Sequence, residues 1–395
     1  MKKLLTIYCL SIATAFSAAA QTSAQKVATK SAQLIFQPQP LHTHGSTLVT
    51  LPNGDILCAW FMGSGERSAD DVKIMGARLR KGDKTWSSPF EMADTYNIPD
   101  CNPVLFLNGA GKLHLVWIAV GANRWEASIL RVRTSTDYLK AGAPVWSWQD
   151  NIILKPDDKF ASEVTTKFKS SPSRGHGWSA YAAPYDQLIV DASKDIVKRS
   201  TGWMTRIKPL VLNNGRILLP LYSDGYNFSL VAISDDEGKT WRASLPIVGR
   251  GNVQPALAVR KDGHIIAYMR DNGDAPSRVQ VSESIDNGET WSTAVETEIP
   301  NTASVEILVL KDGRWTFVGN DEEDGRYRLS LFVSTDEGRS WSSKYLLENE
   351  AEGKGSFSYP SLTQSIDGTI HITYSYQLGK DGESIKYVAV NPDRL

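Results

Sequence analysis

Several side chains of this sequence have the chemistry to act together on an anionic substrate. Arg270 and Arg326 carry planar forks of N–H donors that match a carboxylate. Glu66, Asp70 and Asp71 crowd the run Gly65-Glu66-Arg67-Ser68-Ala69-Asp70-Asp71-Val72. Neighbouring acids raise one another's pKa, and Asp71 directly precedes the next strand. His44, in His42-Thr43-His44-Gly45, offers an imidazole that changes charge near neutral pH. Tyr359, before Pro360, offers a phenol. Arg206 and Lys208 add positive charge. Asn102, Gln254, Glu306, Arg67, Arg124 and Trp125 add polar groups and an aromatic platform. His44 and Tyr359 stand 315 residues apart in the chain. Only a fold that returns repeatedly to one centre gathers them.

The chain carries the signature of such a fold. Ser-Asp-Asp-Glu-Gly-Lys-Thr-Trp begins at 234, Ser-Ile-Asp-Asn-Gly-Glu-Thr-Trp at 284 and Ser-Thr-Asp-Glu-Gly-Arg-Ser-Trp at 334. Asp236, Asp286 and Asp336 are therefore 50 residues apart, twice over. A fixed period of this length marks a repeat architecture. In each copy the Asp can accept from N–H groups of its own turn, the Gly can take positive φ, and the Trp can pack beneath. A β-rich run precedes each one, so the unit reads as strand, stapled turn, strand, and its role is structural. Worn versions end at Thr85-Trp86 and begin at Ser135-Thr136-Asp137.

A second signal is a hairpin turn between β-rich runs. It recurs at Asn53-Gly54, Asn214-Gly215, Asp262-Gly263, Asp312-Gly313 and Asp367-Gly368, with a looser form at Asn108-Gly109-Ala110-Gly111. Six hairpins predict an all-β, six-bladed propeller of four-stranded blades. Gly111 and Gly215 are 104 residues apart, about twice the period, which predicts an insertion between blades 2 and 3. Residues 156–182 are polar and mixed. From Pro184 to near Gly202, Leu188, Ile189, Ala192, Ile196 and Val197 fall at helical spacing and predict a short amphipathic helix on a long loop. A seventh blade without a turn box is the alternative for this interval.

The boxed turn, S/T-x-D-x-G-x-T/S-W, resembles the Asp box of the sialidase superfamily of β-propellers. Three evenly spaced copies speak for the fold more than for the activity. The resemblance implies roles at matching positions. Arg270 and Arg326 match two of the three arginines that hold a substrate carboxylate; the third position holds His44. Tyr359 matches the tyrosine nucleophile. Gln254 stands where its activating glutamate is expected, and an amide cannot act as that base. Asp71 matches the acid/base aspartate.

Composition sets further limits. The sequence has 395 residues, 41% hydrophobic and 22% charged, with a formal net charge of −1. This is globular and argues against nucleic acid as a partner. Met1-Lys2-Lys3, the apolar run that follows and Ala18-Ala19-Ala20 read as a secretory signal over 1–20, too short for a membrane span. An N-terminal extension over 21–40 and one propeller domain over 41–395 follow. Beyond the signal only Cys58 and Cys101 remain, so no disulfide framework is expected, and neither a metal ligand set nor a cofactor. The expected protein is a secreted or periplasmic monomer whose partner is an acidic glycan.

Three functions fit. The leading one is a sialidase-like exo-glycosidase acting on terminal acidic sugars, with Asp71, Tyr359 and His44 catalytic. Substrate contacts then fall to Arg270, Arg326, Gln254, Arg206, Lys208, Asn102, Trp125, Glu66 and Arg67. The others are a uronate-directed lyase or hydrolase using His44 and Tyr359, and a non-catalytic glycan-binding propeller.

Overall fold

The computed structural model describes residues 25–171, 183–341, 343–380 and 382–395. The proposed signal segment lies outside them. Six antiparallel sheets follow one another in the chain. Blade I is His42–Thr50, Ile56–Gly63, Lys73–Leu79 and Phe90–Ala93. Blade II is Asp100–Leu107, Leu113–Val120, Ser128–Ser135 and Trp148–Ile152. Blade III has a broken inner strand, Met204–Thr205 and Leu210–Val211, then Ile217–Ser223, Phe228–Ser234 and Arg242–Ala243. Blade IV is Asn252–Val259, Ile265–Asp271, Arg278–Ser284 and Val295–Pro300. Blade V is Glu306–Val309, Trp315–Asn320, Arg328–Ser334 and Ser343–Asn349.

Blade VI takes only three strands from the C-terminal end: Gly355–Gln364, Ile370–Leu378 and Glu383–Val390. Its fourth is Thr29–Leu34, which pairs antiparallel with 386–390. Gln25–Lys26 adds a parallel edge to blade V. The stretch read as an extension thus fastens the end of the chain to its beginning and closes the ring, leaving fewer open sheet edges.

All six hairpin turns join the first and second strands of their blades. In blade II the left-handed glycine is Gly111 (φ +74°), which explains the looser sequence there. The three intact boxes follow the third strands. In the first, Asp236 accepts from Thr240 N and Oγ1 at 2.9 and 2.6 Å and from Ser234 Oγ at 2.9 Å. These donors hold its carboxyl below the usual range against the effect of burial. Trp241 Nε1 donates to Gly238 O at 3.1 Å. Because strands alternate in direction, boxes and hairpin turns share one end of the propeller. The end of each second strand, where Arg270 stands, lies at the other. The boxes are therefore remote from the chemistry.

The described residues of the interval between blades II and III form helices and not the strands of a seventh blade. Asp158–Ser170 is a helix capped by Asp157, whose carboxylate accepts from Lys159 N. Sequence patterning leaves this stretch as a polar loop. Its apolar face is narrow: Phe160, Val164 and Phe168, four residues apart, among lysines and acids. Phe160 packs edge-on against Tyr226 (5.5 Å), which stacks on Trp203 (5.7 Å). The second helix, Ala183–Lys194, ends before Asp195, which caps a short third turn, Ile196–Ser200. Ile189 is buried, whereas Leu188, Ile196 and Val197 are exposed, so the apolar stripe is shorter than its spacing suggests.

Candidate active site

The six innermost strands share one numbering rule. Gly45, Asn102, Arg206, Gln254, Ser304 and Tyr359 each stand nine residues before their blade's turn glycine (54, 111, 215, 263, 313 and 368). In four blades this position is a bulge with left-handed backbone: Gly45 at φ +66°, Asn102 at +49°, Gln254 at +57° and Tyr359 at +58°. The strand registers shift there, between His44 and Thr47, Cys101 and Val104, Val253 and Ala256, and Ser358 and Ser361. A bulge re-aims a side chain, here toward the axis. Proline follows three of them, at 103, 255 and 360, and supplies no N–H to a ladder that is already broken. A glutamine and a tyrosine held at positive φ each cost on the order of 1–3 kcal/mol, and such strain clusters at functional sites.

Tyr359 is the hub. It is 9% exposed. Its hydroxyl accepts from Gln254 Nε2 at 3.2 Å and from an Arg270 terminal nitrogen at 3.3 Å. The guanidinium of Arg206 lies 4.7 Å from its ring centre and that of Arg326 5.5 Å. The ring of His44 is 4.1 Å away, centre to centre. His44, Arg326 and Tyr359 line one hollow of about 270 Å³, together with His42, Glu66 and Glu383.

The cations divide into two groups. Arg270 and Arg326 reach Tyr359 from loop-proximal positions and are partly exposed. Arg326 sits between the second and third strands of blade V, tied to blade VI by Phe357 N donating to its carbonyl at 2.8 Å. Arg206, expected as a substrate contact, is 1% exposed. It crosses the axis beneath Tyr359 and donates to Ser46 O at 3.2 Å and Pro360 O at 3.1 Å. Lys208 donates to Leu362 O and pairs with buried Glu306 at 3.1 Å. These two cations tie blade III to blades I, V and VI and do not line the hollow.

His44 and His42 differ in charge. Burial, then Arg326, His42, Arg206 and Arg270, hold His44 well below the usual imidazole range. It is neutral at physiological pH and does not replace the missing arginine as a cation. Burial also opposes charge on His42, but Glu383, 3.1 Å from Nδ1, and Glu66 outweigh it and raise His42.

The acidic run of blade I is arranged otherwise than its crowding predicts. Asp71 is exposed and does not line the hollow. It accepts from Ser64 N at 3.0 Å and Ser64 Oγ at 2.8 Å. Those bonds lower its pKa, the opposite of the expected rise. Asp70 accepts from Asn123 Nδ2 at 2.9 Å. The carboxylate of this loop that faces the hollow is Glu66. Arg67 stacks on Trp125 at 5.2 Å, and Asn123 Nδ2 also donates to Arg67 O at 2.9 Å, so this pair joins the loops of blades I and II at the rim. Arg124 is exposed beside it.

Two residues absent from the sequence expectations belong to the site. Tyr222 accepts from Asn102 Nδ2 at 3.2 Å, and burial, Asp224 and Tyr359 push its phenol well up. Burial, with Glu66 and Glu126, raises the carboxyl of Asp224 against the pull of Arg270 and Arg67. Neither stands in a boxed turn or at the ninth-residue position; both fall at the end of a second strand, as Arg270 does.

The loop that carries Arg326 is held by Glu322, whose Oε1 accepts from Arg328 N at 2.8 Å. Glu322 is 7% exposed, and burial pushes its carboxyl from 4.5 up to about 7. An acid raised in the fold stays protonated there while the unfolded chain ionises, so stability falls as pH rises from about 4.5 to about 7. Glu322→Gln keeps the acceptor and removes the charge. It is expected to stabilise the protein by on the order of 2 kcal/mol at pH 8 and by little at pH 4.5, read by urea unfolding at both values.

No curated protein matches the chain. Among solved structures, a protein of unknown function from Dyadobacter fermentans superposes with a TM-score of 0.67 at 15% identity, over 92% of this chain and 98% of that one. A Hadza microbial sialidase, Hz136, gives 0.65 at 17% identity, over 89% and 66%. The intramolecular trans-sialidase from Ruminococcus gnavus gives 0.63 at 15%, over 91% and 97%. At such identity these likenesses show a sialidase-like fold. The family model for the BNR repeat-like domain matches residues 54–167 and 153–372, most of the propeller. The chain therefore belongs to the BNR repeat-like domain family, as a divergent member with a six-bladed sialidase fold.

Proposed function

We propose that this protein is a glycoside hydrolase that removes a terminal acidic sugar from a glycan. The observation that carries this reading is the meeting of Arg270 and Arg326 on Tyr359, beside the hollow that Arg326, Tyr359 and Glu66 line. The two guanidiniums take the sugar carboxylate. Tyr359 stands against the developing oxocarbenium ion, and water completes the cleavage. Glu66 gives its proton to the leaving oxygen, the role that the sequence assigned to Asp71.

A specific observation favours a second reading, a uronate lyase. His44 is neutral, as a base must be, and lies against Tyr359. The Tyr359 hydroxyl already accepts two N–H donors, so its own hydrogen is directed elsewhere and could reach a leaving oxygen. His44 would then take the proton beside the carboxylate.

A panel of acidic glycosides, sialosides and uronosides, separates the two. Hydrolysis releases a saturated sugar; elimination leaves an unsaturated uronate that absorbs in the ultraviolet. Glu66→Gln is expected to lower hydrolysis at least 10²-fold, and Asp71→Asn by less than tenfold. Equal, large losses in both would return the donor role to Asp71. Binding without product across the panel would leave a glycan-binding propeller.

A further inference from the structure

A second, larger cavity opens on the outer edge of the propeller, against the boxed turns of blades III and IV and away from Tyr359. It holds about 920 Å³, against about 270 Å³ for the hollow. The fourth strand of blade III creates it. That strand is two residues long, Arg242–Ala243, whereas the other fourth strands run for four to seven. A groove is left between it and residues 153–160, which lead from blade II into the first helix. Trp241 of the first box lines this groove. Its counterpart Trp291 is 4% exposed, but Trp241 is only half-buried. The indole N–H of Trp241 is spent on Gly238 O, so the open part of the ring offers a face and no donor. Such a face packs against a flat apolar surface, and the C–H side of a pyranose is one.

The charges around the groove do not balance. On one wall Arg242 bonds Glu289 at 2.5 Å and Asp235 at 3.3 Å, and Arg216 bonds the same two acids at 2.9 and 2.6 Å. This closed quartet has no net charge. On the opposite wall Lys155 and Lys159 are exposed, and neither ammonium reaches a carboxylate or another acceptor among the described residues. The acids nearby are occupied. Asp157 accepts from Lys159 N at 2.9 Å at the start of the helix, and Asp158 is held by Arg199 at 2.6 Å. Two free cations beside an aromatic face match a ring-shaped ligand that carries an anionic group.

We propose that this groove is a second carbohydrate site, which takes an acidic sugar unit, carboxylated or sulfated, of a glycan chain outside the active site. Trp241 carries the ring, and Lys155 and Lys159 take the anion. The ammonium groups are solvated, so a single unit binds weakly and in a salt-dependent way. A polymer that reaches both this groove and the hollow is retained more strongly than at either place alone. The proposal stands on the groove's own residues and goes beyond the reading of Arg270 and Arg326 as a clamp.

Titrations of the Arg326→Ala variant, in which the clamp is weakened, test it. The probes are a uronate oligosaccharide, its methyl ester, a sulfated oligosaccharide of the same length and an oligoglutamate peptide. The uronate or the sulfated probe is expected to bind at least about tenfold more tightly than the ester and the peptide, and the tighter of the two identifies the anion. The double reversal Lys155→Glu with Lys159→Glu is expected to abolish that preference. Placed in the wild-type background, it is expected to leave kcat/KM on a small acidic glycoside within about twofold. Trp241→Leu is expected to weaken acid and ester alike, and the exposed lysines keep the test open should that variant fail to fold. Peptide binding as tight as that of the sugars overturns the sugar assignment. Binding unmoved by the lysine reversals, or absent from Arg326→Ala while wild type binds, overturns the groove and leaves the clamp standing. No binding by wild type overturns both.

Discussion

Tyr359→Phe is expected to lower kcat/KM on an acidic glycoside by about 10³-fold while moving the melting temperature by only a few degrees. The substitution removes one oxygen from the place where two donors converge. Gln254 and Arg270 lose an acceptor, and Tyr359 lines the hollow, so water entering there can replace the missing oxygen. The ring stays, and with it the packing of His44 and the guanidiniums of Arg206 and Arg326. The bulge stays too. Loss of a group aimed at developing charge commonly costs 10²–10³, and loss of a proton-transfer partner 10²–10⁴. Steady-state kinetics beside a thermal melt checks both halves. A large fall in melting temperature would make Tyr359 a keystone of the fold; retained turnover would remove it from the chemistry.

Arg326→Ala carries the second large effect. Truncating one partner of a desolvated charge pair costs about 2–5 kcal/mol, or roughly 30-fold to several thousand-fold in affinity. The variant is therefore expected to raise KM for acidic substrates by about 10²-fold or more. Arg270→Ala should act in the same direction and also slow turnover, because Arg270 additionally touches the Tyr359 hydroxyl. Arg206 provides the contrast. It is wholly enclosed and bound to two carbonyls, so Arg206→Ala is a folding lesion and not a binding one.

The propeller was legible because its turns carry local chemistry. A left-handed glycine, an aspartate that closes its own turn and a tryptophan beneath it leave marks at fixed spacing, whatever the surrounding strands contain. The first helix of the insertion left a weaker mark, since three apolar side chains suffice to seat it on the Trp203–Tyr226 cluster. Its other positions are polar because they face water. The N-terminal strand left almost none: a short edge strand reads as a tail until its partner at 386–390 is known.

Within the site, Arg270, His44, Gln254 and Tyr359 are legible from their places around the turns, and Arg326 from its distance to Asp336 of the third box, and they meet around Tyr359. Arg206 and Lys208, ahead of Pro209, are expected among the substrate contacts, and the structure turns them to backbone carbonyls and Glu306 instead. Charge near the axis does not reveal whether a side chain faces the hollow or bonds within the protein. Asp71 stands at the position the resemblance implies for the acid/base group, just before the next strand, but Ser64 and not its acidic neighbours decides its environment. Glu66 lies five residues away on the same loop, and only the path of that loop directs it inward.

The claim on which the account rests is that Arg270 and Arg326 grip a carboxylate beside Tyr359. The most direct test measures the affinities of wild type and Arg326→Ala for an acidic sugar and for its carboxamide, four titrations in one cycle. The account predicts that wild type prefers the acid at least tenfold and that Arg326→Ala loses most of that preference. Equal affinity of wild type for acid and amide, or equal loss on both ligands in the variant, would contradict it.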